Sequence, residues 1–300
     1  MTAVNIGLSP QTPFSEYSYV TTSEYRNSPN ALDIDNLVVG GNAAAQEAEL
    51  QSILLRASSF LDEFLNQNLT ASTQVETQRT RFQANGFLAI HPYQDPIIAL
   101  ESFSYGSVPG QLTELNDLSS TWFENQQFIV PTSNLTLTWS SQGPLSFGGM
   151  GGASPATQVY CQYTYTAGYV NNEIITANAG DSFMTVNPTG IVAGNVFRIY
   201  DGAKSEKVTV ADTYNYGDPI VPLTRPLTHT HAAGVTFGNM PNAIKQATLL
   251  VTNAFIKVRG DTSLTMNITT QPSTNIGNDQ RFGKDIALAL EMVNLYRRIR

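Results

Sequence analysis

The side chains best suited to chemistry in this sequence are its three histidines, His91, His229 and His231. Residues two apart in a strand point to the same face of a sheet, so His229 and His231 could together begin a metal site. No third ligand lies beside them, because Asp201 and Asp218 would have to fold over the pair. We therefore expect the pair to pack in an edge strand without a metal, and His91 to lie in a turn.

The remaining motifs also argue against catalysis. The run from Gly148 to Gly152 has the glycine content of a phosphate-binding loop, but no strand–glycine–helix order surrounds it and no Lys-Ser/Thr follows. A loop over Ser141–Ser154 is the better interpretation. No serine lies in a G-x-S-x-G context, and the acidic pair Asp62 and Glu63 is expected to be solvated on a helix face. We predict that the chain is not an enzyme and binds no cofactor.

Cys161 is the only cysteine of the chain. A single cysteine excludes a disulfide framework and a cysteine-based zinc site. Its neighbours alternate between apolar and polar residues as in a strand, so the thiol is predicted to be buried and inert.

Composition limits the classes of partner. Of the 300 residues, 41% are hydrophobic and only 13% are charged, and a weakly charged surface can be buried against a partner at low desolvation cost. The net charge is −8, whereas a sequence-independent nucleic-acid binder should be basic. The sequence has neither the features of a signal peptide nor an apolar run long enough to span a membrane. A soluble assembly component without tight DNA binding is predicted.

The charge is unevenly distributed along the chain. Residues 1–66 contain eight acids and two bases, a net charge of −6, whereas residues 281–300 contain five bases and two acids, a net charge of +3. The acidic beginning of one subunit could therefore meet the basic end of another. An ordinary solvated surface is the alternative.

Three amphipathic stretches predict the main helices, at 42–68, 241–260 and 279–300. Apolar residues recur in them at the three- and four-residue spacing of a helical face. The last stretch is apolar over an arc wide enough for two partners. The predicted helical core consists of Leu54, Ala57, Leu61, Ile244, Ala247 and Val251.

The residues between these helices read as short strands separated by turns. We predict an α+β fold with a small helical bundle core of three main helices, short antiparallel strands and an inserted all-β subdomain. The predicted domains are an extended N-terminal arm (1–41), a helical core with β strands (42–172 plus 239–300) and a small inserted β domain (173–238). The ends of such a β unit lie close together, so it can be inserted at a loop of its host.

Several short segments follow one another in a particular order along the chain. They are Leu54–Asp62, Glu76–Arg79, Gly86–Pro92, Asp95–Ile97, Tyr165–Tyr169, Pro241–Ala247 and Arg259-Gly260. Their order resembles that of the head–tail connector, or adaptor, proteins of long-tailed bacteriophages. The resemblance covers roughly 42–105, 158–172 and 241–300, and residues 173–238 depart from the minimal connector.

The resemblance implies a structural protein of the virion neck, assembled in the host cytoplasm. Connectors of this kind form a homo-oligomeric ring, typically of twelve copies, beneath the portal protein. They join it to stopper, tail-terminator or tail proteins, and double-stranded DNA passes through without specific binding; no membrane partner is implied. We expect acids to line that channel. The last helix is expected to dock on the portal or on a neighbouring subunit through Tyr296, Arg297, Arg298 and Arg300.

Two other functions stay open at this point. Residues 173–238 could form a binding module for a glycan or a host surface, and the aromatic residues Tyr200, Tyr214 and Tyr216 are its support. A hydrolase that uses His229 and His231 as metal ligands is the third reading, and metal analysis of the purified protein would test it.

Overall fold

The computed structural model describes residues 18–35, 37–81, 83, 87–131, 136–139, 143–146, 158–258 and 283–298. The chain divides into two compact units. Ala71–Gly168 belong to the first unit, and Thr12–Thr70 with Tyr169–Arg300 belong to the second. Each unit is described by itself below.

The described part of the first unit contains strands and turns. A four-stranded antiparallel sheet has the order β1-β9-β3-β4, a three-stranded sheet has the order β2-β6-β5, and β7 pairs with β8. The strands are β1 (Ser72–Arg81), β2 (Phe87–Ile90), β3 (Ile97–Val108), β4 (Gln111–Glu114), β5 (Trp122–Glu124), β6 (Gln127–Pro131), β7 (Thr136–Trp139), β8 (Gly143–Ser146) and β9 (Gln158–Ala167). Part of the loop predicted at 141–154 is therefore the strand β8, and its other residues lie outside the described part.

The core of the first unit is built on β9, in which every second side chain is buried. Cys161, Tyr163 and Tyr165 are buried there with Phe103 of β3 and Phe128 of β6. Burial raises the pKa of the Cys161 thiol to about 12, so the thiol stays protonated and unreactive at neutral pH. The prediction of a buried, inert cysteine in a strand is confirmed.

The second unit holds the helices. These are α1 (Thr22–Arg26), α2 (Ala43–Leu65), α3 (Asn242–Val258) and α4 (Gly283–Val293), and a short 3₁₀ turn, Asn294–Tyr296, follows α4. The third predicted helix thus ends as an α-helix at Val293. The side chains of Leu54, Ala57, Leu61, Ile244, Ala247 and Val251 are all fully buried.

A six-stranded sheet forms the rest of the second unit, in the order β13-β12-β15-β10-β11-β14. The two outer strands meet through the bridge between Val210 and Leu223, and Thr224 N–H donates to Thr209 O at 3.0 Å. The sheet therefore closes on itself around apolar side chains such as Phe197 and Phe237. Its strands are β10 (Asn171–Thr176), β11 (Phe183–Val186), β12 (Val196–Tyr200), β13 (Glu206–Thr209), β14 (Ile220–Pro222) and β15 (Thr236–Gly238).

The predicted fold class is wrong. The described residues form mostly strands, with thirteen of them in the three larger sheets. Only three described helices have seven residues or more, and they do not form a bundle that serves as the core of the chain. Short strands carry a weaker periodic signal than helices, so the sequence reading gave the helices too much weight. The predicted domain boundaries stay a prediction.

The expectation of a solvated Asp62 is also wrong, because Asp62 is fully buried. The segment before α1 crosses α2 there, and the Tyr19 hydroxyl donates a hydrogen bond to the Asp62 carboxylate. The same hydroxyl accepts a hydrogen bond from Leu69 N–H at 3.0 Å. The helical pattern of α2 could not show this contact, since the covering residue comes from elsewhere in the chain.

Helix α2 begins at a side-chain cap. Asn42 has an extended backbone, and its Oδ1 accepts a hydrogen bond from Ala45 N–H at 2.9 Å. Replacing Asn42 by alanine should lower the free energy of unfolding by about 1 kcal/mol, because that N–H loses its partner. Asn42→Ser, which keeps a capping oxygen, should stay within a few tenths of a kcal/mol of the wild type. Equal urea midpoints for wild type and Asn42→Ala would contradict the role of the cap.

Candidate functional site

A cluster of titratable side chains in the second unit surrounds His231. Its Nδ1 lies 2.9 Å from Asp201 Oδ2, and its Nε2 lies 2.9 Å from Glu206 Oε1. The His231 side chain is fully buried, and the side chains of Asp201 and Glu206 are 28% and 13% exposed. One buried imidazole is therefore held between two carboxylates.

The sequence around these residues positions them. A 3₁₀ turn, Gly202–Lys204, separates Asp201 at the end of β12 from Glu206 at the start of β13. On the other side, His231 N–H donates to Ala177 O at 3.0 Å and pairs the loop before β15 with the end of β10. We name the group of His231, Asp201 and Glu206 the His231 clamp. The clamp joins the β12–β13 turn to the segment that leads into β15.

The two carboxylates engage both ring nitrogens of His231. Its Nδ1 and Nε2 each lie within hydrogen-bond distance of a carboxylate oxygen, so neither nitrogen is open to a metal ion. Among the described residues, no group of three or more His, Cys, Asp and Glu side chains could hold a metal. The arrangement is suited to holding two loops together.

Glu206 collects further donors. Its carboxylate accepts hydrogen bonds from the backbone N–H groups of Thr228 and His229, at 2.9 and 3.0 Å. Burial alone would raise the pKa of Glu206, but the hydrogen bonds from Thr228, His231 and His229 outweigh it and hold this pKa below its ordinary value.

The structure places only one of the two candidate third ligands beside His231. Asp201 does fold over His231, whereas the other candidate third ligand, Asp218, accepts a hydrogen bond from Ile220 N–H. The His229 ring lies edge-on to the His231 ring, with 6.5 Å between their centres. Sequence reasoning did not place Glu206 beside the histidines, because 25 residues separate it from His231.

The lowered pKa of Glu206 predicts acid sensitivity. A carboxyl whose pKa is lower in the folded than in the unfolded chain adds stability above its unfolded pKa, and that stability is lost as the pH falls through the folded pKa. Between about pH 5 and pH 3, the wild type should thus lose more unfolding free energy than Glu206→Gln does. Urea titrations at several pH values measure the difference. Parallel curves for the two proteins would contradict the assignment.

No protein-family model matches this sequence, and comparisons with curated proteins and with solved structures also find no match. Within the described part of the chain, no helix has the length and apolar character needed to cross a membrane. The candidate function therefore depends on the residues of this chain themselves.

A buried ion pair lies where α1, α3 and β12 meet. Lys245 Nζ lies 2.5 Å from Glu24 Oε1 and 3.8 Å from the centre of the Tyr200 ring. Burial lowers the pKa of Lys245, and the nearby Glu24 carboxylate offsets part of that effect. Sequence reasoning missed this site, because the two charged residues are more than two hundred positions apart.

The predicted docking residues at the C-terminus largely pack against their own unit. The Tyr296 ring packs edge-on against Tyr169, and the Arg297 guanidinium lies 5.0 Å from the centre of the Phe64 ring. Arg298 N–H donates to Leu65 O at 3.0 Å. Arg300 lies outside the described residues. A docking role for this group stays a prediction.

The exposed apolar side chains near that end belong to other residues. Leu288 on α4 and Leu295 in the 3₁₀ turn are 49% and 92% exposed, whereas Ala289 and Val293 on the same segment are fully buried. The sequence predicted that the last helix is apolar over an arc wide enough for two partners. These two leucines, named here the α4 apolar face, are available to a partner.

The aromatic residues that support a binding module have different surroundings. Tyr214 is buried, and its hydroxyl donates to Asp218 O at 2.9 Å. Tyr200 lies beneath the Lys245 ammonium, and Tyr216 is largely exposed. These three rings do not present one shared exposed surface on which a sugar could stack.

Proposed function

We propose that this protein is a structural head–tail connector of a tailed bacteriophage, which forms a homo-oligomeric ring between the portal protein and the stopper or tail. The order of sequence segments described above supports this proposal. The weakly charged composition supports it as well, because such surfaces can be buried in an assembly at low desolvation cost. In this role the chain acts by binding other subunits, in the virion neck and, during assembly, in the host cytoplasm.

The observation that carries the proposal is the α4 apolar face. The side chain of Leu295 is 92% exposed, so folding of the single chain removes almost none of its apolar surface from water. Its burial against a partner would be favourable by about 2 kcal/mol before the costs of association. Arg297 is exposed beside it, as is common at the rim of protein interfaces. We assign this face to the contact with the neighbouring copy in the ring.

The net charge of −8 fits a ring through which DNA moves. Lysine and arginine side chains on a channel wall would bind phosphates and release counterions, which holds DNA in place. Carboxylates on the wall repel the phosphates and let the duplex slide. We therefore assign acidic residues to the lining of the channel, and a ring structure with a lysine- or arginine-lined channel would overturn this assignment.

The proposal is tested by measuring the mass of the protein alone and after mixing with the portal protein of the same phage, by mass photometry and negative-stain imaging. A ring-shaped particle in either sample, seated on one end of the portal in the mixture, is the expected result. A protein that stays monomeric over micromolar concentrations and binds no portal would refute the connector function.

Replacing Leu288 and Leu295 together by serine should weaken association of the subunits by about tenfold, because the central apolar contact is lost. The stability of the single chain should change by less than about 0.5 kcal/mol, since both side chains are exposed. Val39→Ser, at another exposed apolar position, is the matched control and should assemble normally. Sedimentation velocity measures the association, and equal behaviour of the double variant and the control would rule out this face.

A further inference from the structure

A groove of about 380 Å³ opens in the second unit where the described chain begins, at Ser18. Helix α2 contributes Gln51 and Leu55 to its wall, the start of α1 contributes Thr21 and Thr22, and strand β10 forms the remaining side. The groove is distinct from the His231 clamp and from the α4 apolar face. Nothing described so far occupies it.

The chemistry of the lining excludes several ligand classes. Glu173 is the only charged side chain among the described residues of the wall, so there is no cation to bind a phosphate or a nucleic acid. One carboxylate is too few for a metal ion. The described wall has no aromatic ring on which a sugar could stack. What it does present is hydroxyl and carboxamide groups, which match the N–H and C=O groups of a peptide backbone.

The hydrogen bonds of Asn171 show which group of a peptide backbone the groove could bind. Its Nδ2 donates to the backbone carbonyls of Ser18 and Tyr19, at 3.3 and 3.2 Å, and these carbonyls fix the orientation of the amide. Its Oδ1 is buried and accepts no hydrogen bond from any described residue. A buried acceptor without a donor costs about 1–3 kcal/mol, and a backbone N–H of a bound segment would supply the donor.

Two exposed apolar side chains lie beside these polar groups. Leu55 on α2 and Ile175 on β10 are 37% and 57% exposed. An extended segment has side chains that alternate between its two faces, so apolar residues at every second position could cover this pair. The groove therefore fits an extended segment with alternating apolar residues and few charges.

The sequence before Ser18 has this pattern. Val4, Ile6 and Leu8 stand at alternate positions, and Glu16 is the only charged side chain among residues 1–17. Seventeen extended residues can span about 55 Å, which is enough to reach an adjacent subunit. The described wall residues, Ser18 included, all come from one chain, and the space between them can take a segment from another.

We propose that the groove binds residues 1–17 of a second copy of this chain, so that neighbouring subunits are joined by exchanged N-terminal segments. This inference rests on the proposed ring, because a ring gives every subunit a neighbour. The acceptor on Asn171 takes a backbone N–H of the arriving segment. Leu55 and Ile175 contact its apolar side.

Cysteine cross-linking in the full-length chain tests the exchange. One chain carries Ile6→Cys, a second chain of different tag length carries Ile175→Cys, and the two are mixed before a bismaleimide is added. The natural Cys161 is fully buried, so only the introduced thiols react. Val39→Cys in place of Ile175→Cys is the matched control, since residue 39 is exposed and lies outside the groove.

The expected result is a covalent mixed dimer, formed about tenfold more than with the Val39→Cys control, because a docked segment has a high effective concentration at its site. Excess synthetic peptide of residues 1–17 should suppress it, and the same peptide with serine at positions 4, 6 and 8 should not. A double variant, Ile6→Cys with Ile175→Cys, that links only within one chain would overturn the exchange. Rings that assemble without any cross-link would overturn it too, and would leave the connector function standing. A chain that forms no ring at all would instead refute the connector function.

Discussion

Replacing His231 by alanine should lower the free energy of unfolding by about 3 kcal/mol, the largest effect we expect from a single polar substitution in this chain. The substitution leaves Asp201 and Glu206 facing one another across the space of the lost ring. Two carboxylates without the imidazole ring between them repel each other, and both are partly withdrawn from water. The loss should therefore exceed that of an exposed ion pair, which is usually below about 1 kcal/mol.

Variants of neighbouring residues distinguish the effect of breaking the His231 clamp from the effect of removing any imidazole ring. His229→Ala removes the adjacent ring, which has no such carboxylate pair, and should cost less than about 1 kcal/mol. Adding Glu206→Gln to His231→Ala should recover part of the stability, because one of the two facing charges disappears. Urea denaturation of the four proteins at pH 7 measures these differences. A His231→Ala protein as stable as His229→Ala would show that the clamp contributes nothing.

Local patterns in the sequence predicted the helices and most of the short strands. The 3.6-residue period placed Leu54 and Ala57 on the apolar face of α2 and Ile244 on the apolar face of α3. All three side chains are buried. Short strands separated by turns were predicted between the helices, and β11 to β15 are such strands. Such features depend on neighbours in the chain, and a sequence reports these directly.

What the sequence could not show depends on distant contacts. Strand β10, with the sequence Asn-Asn-Glu-Ile-Ile-Thr, lacks regular alternation and is a strand because it pairs with β11 and β15. The closure of the six-stranded sheet through Val210 and Leu223 is likewise a tertiary fact. These pairings explain why the structure is mostly β although the prediction centred on helices.

The candidate site shows the same limit. The spacing of His229 and His231 was visible, and it suggested a metal-binding pair. The structure instead pairs His231 with Asp201 and Glu206, which lie 30 and 25 residues earlier in the chain. Both ring nitrogens of His231 face carboxylate oxygens and are closed to a metal ion, so the partners exclude the metal-binding role that the spacing suggested.

Replacing Glu24 by glutamine should lower the free energy of unfolding by about 2–3 kcal/mol, because it leaves the buried Lys245 charge without its partner. The Lys245 side chain is only 10% exposed, and burial already lowers its pKa, which shows that its environment disfavours the charge. Glutamine keeps the length of the side chain and an oxygen for Thr21 N–H, which Glu24 Oε2 accepts at 3.0 Å. The loss is therefore assigned to the ion pair rather than to the cap of α1.

Lys245→Met is the decisive partner variant. Methionine removes the charge and keeps an unbranched apolar side chain beside Tyr200, and replacing a buried ion pair by apolar groups is often neutral or stabilising. Lys245→Met combined with Glu24→Gln should thus be more stable than Glu24→Gln alone, by about 2 kcal/mol. Thermal and urea unfolding of the two single variants and the double variant complete the cycle. If the changes in unfolding free energy of the two single variants simply added in the double variant, the unpaired charge of Lys245 would not be the cause of the loss in Glu24→Gln. Glu24 would then act through its other contacts.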